Sequence, residues 1–106
     1  MATIIIMNEL TWLHTKLNTF ADSITATLDV AMKNKDSSLS KRMAALHCFN
    51  TAVKYTDNSM KEIEEKIESL SRVKTEMRKE EIVFFDSLIT LKDEIKKLIQ
   101  KYKEEL

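Results

Sequence analysis

The chain has 106 residues and contains neither Gly nor Pro. Average usage of about 7% Gly and 5% Pro would supply roughly seven and five. Without them, tight positive-φ turns, close backbone approaches and sharp helix stops lose their usual residues. A sandwich, a barrel, a doubly wound α/β fold and a glycine-rich phosphate loop are all excluded, and a charged content of 32% with 7% aromatics points to solvated helices. Seventeen basic and seventeen acidic side chains cancel, so the net positive field expected of a nucleic-acid or anionic-membrane binder is missing from the total.

The first third is poor in charge. Residues 1–38 hold seven of the 34 charged side chains and six threonines. Through it the apolar residues Ile6, Leu10, Leu13, Leu17, Phe20, Ile24 and Ala31 recur in alternating steps of three and four. That spacing predicts an amphipathic helix over about 5–34, with Leu10, Leu17, Ile24 and Ala31 at heptad position a and Ile6, Leu13 and Phe20 at d. Asn34-Lys35-Asp36-Ser37-Ser38 is the strongest turn signal, since Asn tolerates left-handed backbone and Asp or Ser can cap a following helix.

After the turn the stripe resumes in a shifted phase. Position a falls at Leu39, Leu46, Val53, Met60, Ile67, Lys74, Glu81, Leu88, Ile95 and Tyr102. Position d falls at Arg42, Phe49, Thr56, Ile63, Leu70, Met77, Phe84, Leu91, Leu98 and Glu105. Fifteen of these twenty are apolar where composition alone gives about nine, so the pattern is real. Two interruptions stand out: Thr56-Asp57-Asn58-Ser59, where Ser59 and Glu62 match a capping box, and the charged interval Arg78-Lys79-Glu80-Glu81. The phase survives both, which favours one continuous helix over 39–105. The expected fold is therefore all-α: an antiparallel helical hairpin with a long second helix making coiled-coil or bundle contacts. The alternatives are a compact three-helix bundle folding back near 78–81 and a break near 57–59.

A helix of that length spans roughly 100 Å, and the first helix covers only its near half. The far stripe of Leu70, Met77, Phe84, Leu88, Leu91, Ile95 and Leu98 then requires a partner helix. Ile82, Phe85 and Ile89 add a second apolar face, because Ile82-Val83-Phe84-Phe85 covers more than half the helix circumference. Trp12 lies beside the first stripe at neither a nor d, and as a Trp it is a further candidate for a partner interface.

Chemistry-bearing clusters are sparse. His14, His47 and Cys48 are too few and too scattered for a structural zinc site. The acidic run Glu62, Glu64, Glu65 and Glu68 reads as a solvated face, with Glu62–Lys66, Glu68–Arg72 and Asp93–Lys97 as i,i+4 pairs. Lys92, Lys96 and Lys103 share a face that makes a weak membrane-surface or nucleic-acid patch. One Cys cannot form an internal disulfide, and Ile4-Ile5-Ile6-Met7 is too short for a signal or a membrane span. The expectation is a non-enzymatic intracellular protein, cytoplasmic, without metal or cofactor. It binds protein as a homo- or hetero-oligomeric subunit, adaptor or scaffold. A membrane-surface helical dimer and a small inhibitor, immunity protein or secretion chaperone are the alternatives.

Overall fold

The computed structural model describes residues 2–105, with side chains from Ile5 onward; the side chain of Ile4 lies outside the described residues. Three helices follow one another: α1 (Ala2–Lys33), α2 (Leu39–Arg72) and α3 (Lys79–Glu105), with a single 3₁₀ turn at Lys74–Glu76 before α3. They form an antiparallel bundle measuring 56 × 19 × 18 Å. Its length is that of α2, whose 34 residues rise roughly 51 Å.

α1 follows its heptad pattern. Ile6, Leu10, Leu13, Leu17, Phe20, Ile24 and Ala31 are all buried. Its C-terminal end is closed by Asn34, whose side-chain amide donates to the Val30 carbonyl at 2.8 Å, satisfying one of the orphan acceptors of the last turn. Ser38 takes the N-cap position of α2 with extended backbone (φ −55°, ψ 154°), but its hydroxyl makes no capping hydrogen bond. Ser37 donates instead to Asn34 Oδ1 at 3.2 Å, within the turn.

The α2 seam runs through Ala45, Phe49, Ala52, Val53, Thr56, Met60, Ile63, Ile67 and Leu70. The helix continues through residues 56–59, so Ser59 and Glu62 start nothing. Thr56, a polar interruption of the heptad, is fully buried, and its hydroxyl donates to the Ala52 carbonyl one turn back at 2.9 Å. A hydroxyl satisfied in this way leaves its methyl group to pack.

Residues 39–105 are two helices rather than one, and the break lies at 73–78. Val73 (φ −108°, ψ 16°) and extended Met77 (φ −80°, ψ 146°) flank the 3₁₀ turn and reverse the chain without any positive φ. The turn is closed by Glu76 N–H to the Val73 carbonyl at 2.9 Å and Met77 N–H to the Lys74 carbonyl at 3.1 Å. α3 then starts on a side-chain cap: Glu81 Oε1 accepts from the Arg78 N–H at 2.8 Å. This is the returning half of a capping box, which relieves an orphan donor.

The inward face turns slightly across the break. In α3 the buried row is Glu81, Phe85, Leu88, Ile95 and Ile99: the a positions stay inside, while Phe85 and Ile99, the residues after Phe84 and Leu98, take the place of d. Phe84, Leu91 and Leu98 are left half-buried against the core. Paired apolar neighbours (Phe84 with Phe85, Leu98 with Ile99) kept the old count looking unbroken.

Candidate interaction surface

The fold-back settles where the apolar far stripe goes. Leu70, Met77, Phe85, Leu88 and Ile95 are buried inside the single chain. Ile82, Phe84, Ile89, Leu91 and Leu98 are half-buried and pack on the same core. Phe84 reaches α1, where its ring meets that of His14 edge-on at 5.4 Å between centroids. The broad apolar face at the start of α3 is thus used within the chain, and Val83, at 64% exposure, is the one member of the run that faces outward.

Trp12 is half-buried in the groove between α1 and α2, between two ammonium groups. Lys66 lies 5.6 Å and Lys16 5.8 Å from the ring centroid. Lys66 also pairs with Glu9 across the helices at 2.6 Å, in place of the i,i+4 pair with Glu62. Such a ring, with two ammonium groups over it, already has cationic neighbours for its π face.

The charged faces are paired in similar fashion. Lys96 donates to Glu64 at 2.7 Å and Lys103 lies 3.8 Å from Asp57, both joining α3 to α2. Lys92 contacts Asp93 at 3.1 Å, so Asp93 is engaged there and not with Lys97. The hydrogen bond to Glu64, followed by the attraction of its charge, holds the Lys96 ammonium above the ordinary lysine value. The Lys92, Lys96 and Lys103 face therefore carries an acidic partner beside each cation. Glu68–Arg72 forms as spaced, at 3.0 Å.

What remains open lies at the other end of the bundle, around the α1–α2 turn. No residue of α2 before Ala45 is buried. Leu39 is 64% exposed and Met43 58%, with Val30 and Met32 of α1 close to half-exposed. Beside them a cleft of about 470 Å³ is lined by Ala31, Lys35, Asp36, Arg42, Met43, Leu46 and Glu105. Leu39 and Leu46 belong to the heptad stripe, but Leu39 meets no third helix and Leu46 is only half-covered.

Elsewhere, His47 and Cys48 border a shallow groove with Ser23, Thr27, Thr51, Ala52 and Tyr55, of about 480 Å³. Cys48 is exposed, and His47 with it. Among the described residues no three His, Cys, Asp or Glu side chains converge as metal ligands. None of the described helices is long and apolar enough to cross a membrane. No protein family, curated protein or solved structure matches the chain.

Proposed function

We propose that the chain is a non-enzymatic protein–protein interaction module, a small helical-bundle subunit, adaptor or scaffold that joins its assembly as a folded unit. The observation that carries this reading is the apolar surface at the turn end. Four of the eight large apolar side chains left most exposed, Val30, Met32, Leu39 and Met43, gather at that one end. Single apolar residues are ordinary on any surface, whereas several at one end, with Met43 lining an open cleft, support a surface that a partner covers.

The internal use of the long seam favours a unit that presents one end, as a small inhibitor or secretion chaperone does, over a subunit that extends a coiled coil. The pairing of Lys92, Lys96 and Lys103 with carboxylates speaks against the membrane-surface alternative. A photo-reactive residue placed at Met43 tests the reading in living cells, with the exposed Glu65 as control position. A protein adduct from position 43 and none from position 65 is expected. Equal labelling from both positions, or none from 43, overturns it.

A further inference from the structure

The turn between α2 and α3 is a short departure from a single helix. Its 3₁₀ residues Lys74–Glu76 stay close to helical geometry, Val73 (φ −108°, ψ 16°) lies at the edge of it, and Met77 (ψ 146°) is extended. Two backbone hydrogen bonds close it, Glu76 to Val73 and Met77 to Lys74, beside the half-exposed Lys74–Asp86 pair. No residue in it has positive φ, and none is Gly or Pro. Ile67, Glu81, Leu88 and Ile95, buried on either side of it, stand at one heptad position. A helix drawn through the turn therefore still presents them along one stripe.

The pairs that tie α3 to α2 are Asp57 with Lys103 and Glu64 with Lys96, and residue 80 lies midway in both. Two uninterrupted helices, antiparallel about a two-fold axis at that residue, put the same partners level with one another, now from different copies. We infer that 73–78 is a hinge through which two copies of the chain exchange α3. Residues 39–105 become one helix in each copy, and α3 docks on the other copy's α1–α2 hairpin. Phe85, Leu88, Ile95 and Ile99 then enter the same core that they fill in the closed chain. The helical backbone bonds gained through the hinge replace those that close the turn. Exchange requires α3 to leave its own hairpin, so it takes place when chains refold together, and mass action favours it at high concentration. A chain that folds alone stays closed.

A chain carrying Cys48→Ser, Asp57→Cys and Lys103→Cys, treated with a short bis-maleimide, tests this. Folded from dilute solution, it should link to itself and run as a single chain on a denaturing gel. Refolded from urea at high concentration, it should yield a two-chain product, because each position 57 then faces position 103 of the other copy. Lys79→Pro separates exchange from chance contact between closed chains. Proline suits the first residue of a helix, where Lys79 stands, and breaks a helix interior, where exchange places it. With this substitution the dilute chain should keep its helical circular dichroism and its internal link, while the two-chain fraction falls roughly a hundredfold. Thr75→Ala, a better helix former at an exposed position of the turn, should raise that fraction severalfold. Single chains alone after concentrated refolding, a two-chain product that Lys79→Pro leaves undiminished, or one that Thr75→Ala does not raise, overturns the inference.

Discussion

The Lys96 ammonium on α3 donates to the Glu64 carboxylate on α2 at 2.7 Å, joining two residues 32 apart in sequence. On a continuous helix these positions would lie roughly 48 Å apart. The contact exists because the chain reverses at 73–78, and Lys103 beside Asp57 repeats it nearer the C-terminal end.

That pair is half-exposed, so its contribution is small, about 0.2–1 kcal/mol. Its pH dependence has a definite sign. The Lys96 value is raised above 10.5 in the folded chain, so the stabilisation is fully present below 10.5 and disappears as pH rises through the folded value. Lys96→Met should therefore be slightly less stable than wild type in urea melts at pH 8. The difference should shrink toward zero as the melts are moved above pH 10.5. A difference that grows with alkalinity would show that the pair is not what Lys96 contributes.

The neighbouring residues Val83 and Phe85 should respond very differently to truncation. Phe85 is 1% exposed, and Phe85→Ala should cost about 3–5 kcal/mol through lost burial and the cavity left behind. Half-buried Ile89 should lose roughly half of a core isoleucine's cost, about 1–2 kcal/mol on substitution by Ala. Val83→Ala should stay within about 0.5 kcal/mol. Denaturant melts of the three variants check the order, and a Val83 effect equal to that of Phe85 would mean that α3 is rotated from the orientation described.

Glu81 is 2% exposed, with one carboxylate oxygen capping the Arg78 N–H and the other, Oε2, without a protein partner. A buried unpaired oxygen costs about as much as the cap contributes, of order 1–2 kcal/mol each. Glu81→Leu, which removes both, should be close to neutral. Glu81→Gln keeps an acceptor for the cap and should also stay near wild type, while Glu81→Ala loses the cap and leaves a cavity, costing about 2 kcal/mol. Lys74→Leu together with Glu81→Leu should leave the oligomeric state unchanged, because Lys74 sits in the turn and pairs with Asp86 at 3.2 Å. New oligomers in light scattering would point instead to a helical seam running through both positions.

α1 was legible because its stripe keeps one phase from Ile6 to Ala31 with no break in the helix, and every residue of that stripe is buried. The turn at 34–38 was legible because Asn, Asp and Ser are turn formers, and Asn34 closes α1 through its own side chain. The reversal at 73–78 was legible only as the alternative, a fold-back near 78–81. It uses only backbone conformations open to any residue, so no Gly or Pro marks it, and Lys74, Glu76, Met77 and Arg78 within it are good helix formers. The heptad count ran through it unbroken because Leu88 and Ile95 keep position a, and apolar neighbours stand together at Phe84-Phe85 and Leu98-Ile99. The partner interface inferred from a bare stripe depended on that count. Leu39, at the end where the surface is now placed, was legible only as a member of the stripe, and Met43 lay outside the stripe altogether.

The fold-back turns the seam inward and leaves the turn end as the open apolar surface, and the distance between residues 57 and 103 tests it most directly. Both positions are exposed, and Cys48→Ser frees the chain of its native thiol, so paired spin labels at Asp57→Cys and Lys103→Cys can be introduced without touching the core. Dilution into unlabelled protein isolates the distance within one chain. The bundle brings these two positions face to face, the Lys103 ammonium 3.8 Å from the Asp57 carboxylate, giving strong short-range dipolar coupling. A continuous helix over 39–105 would place them roughly 70 Å apart, and a long distance of that order would contradict the fold.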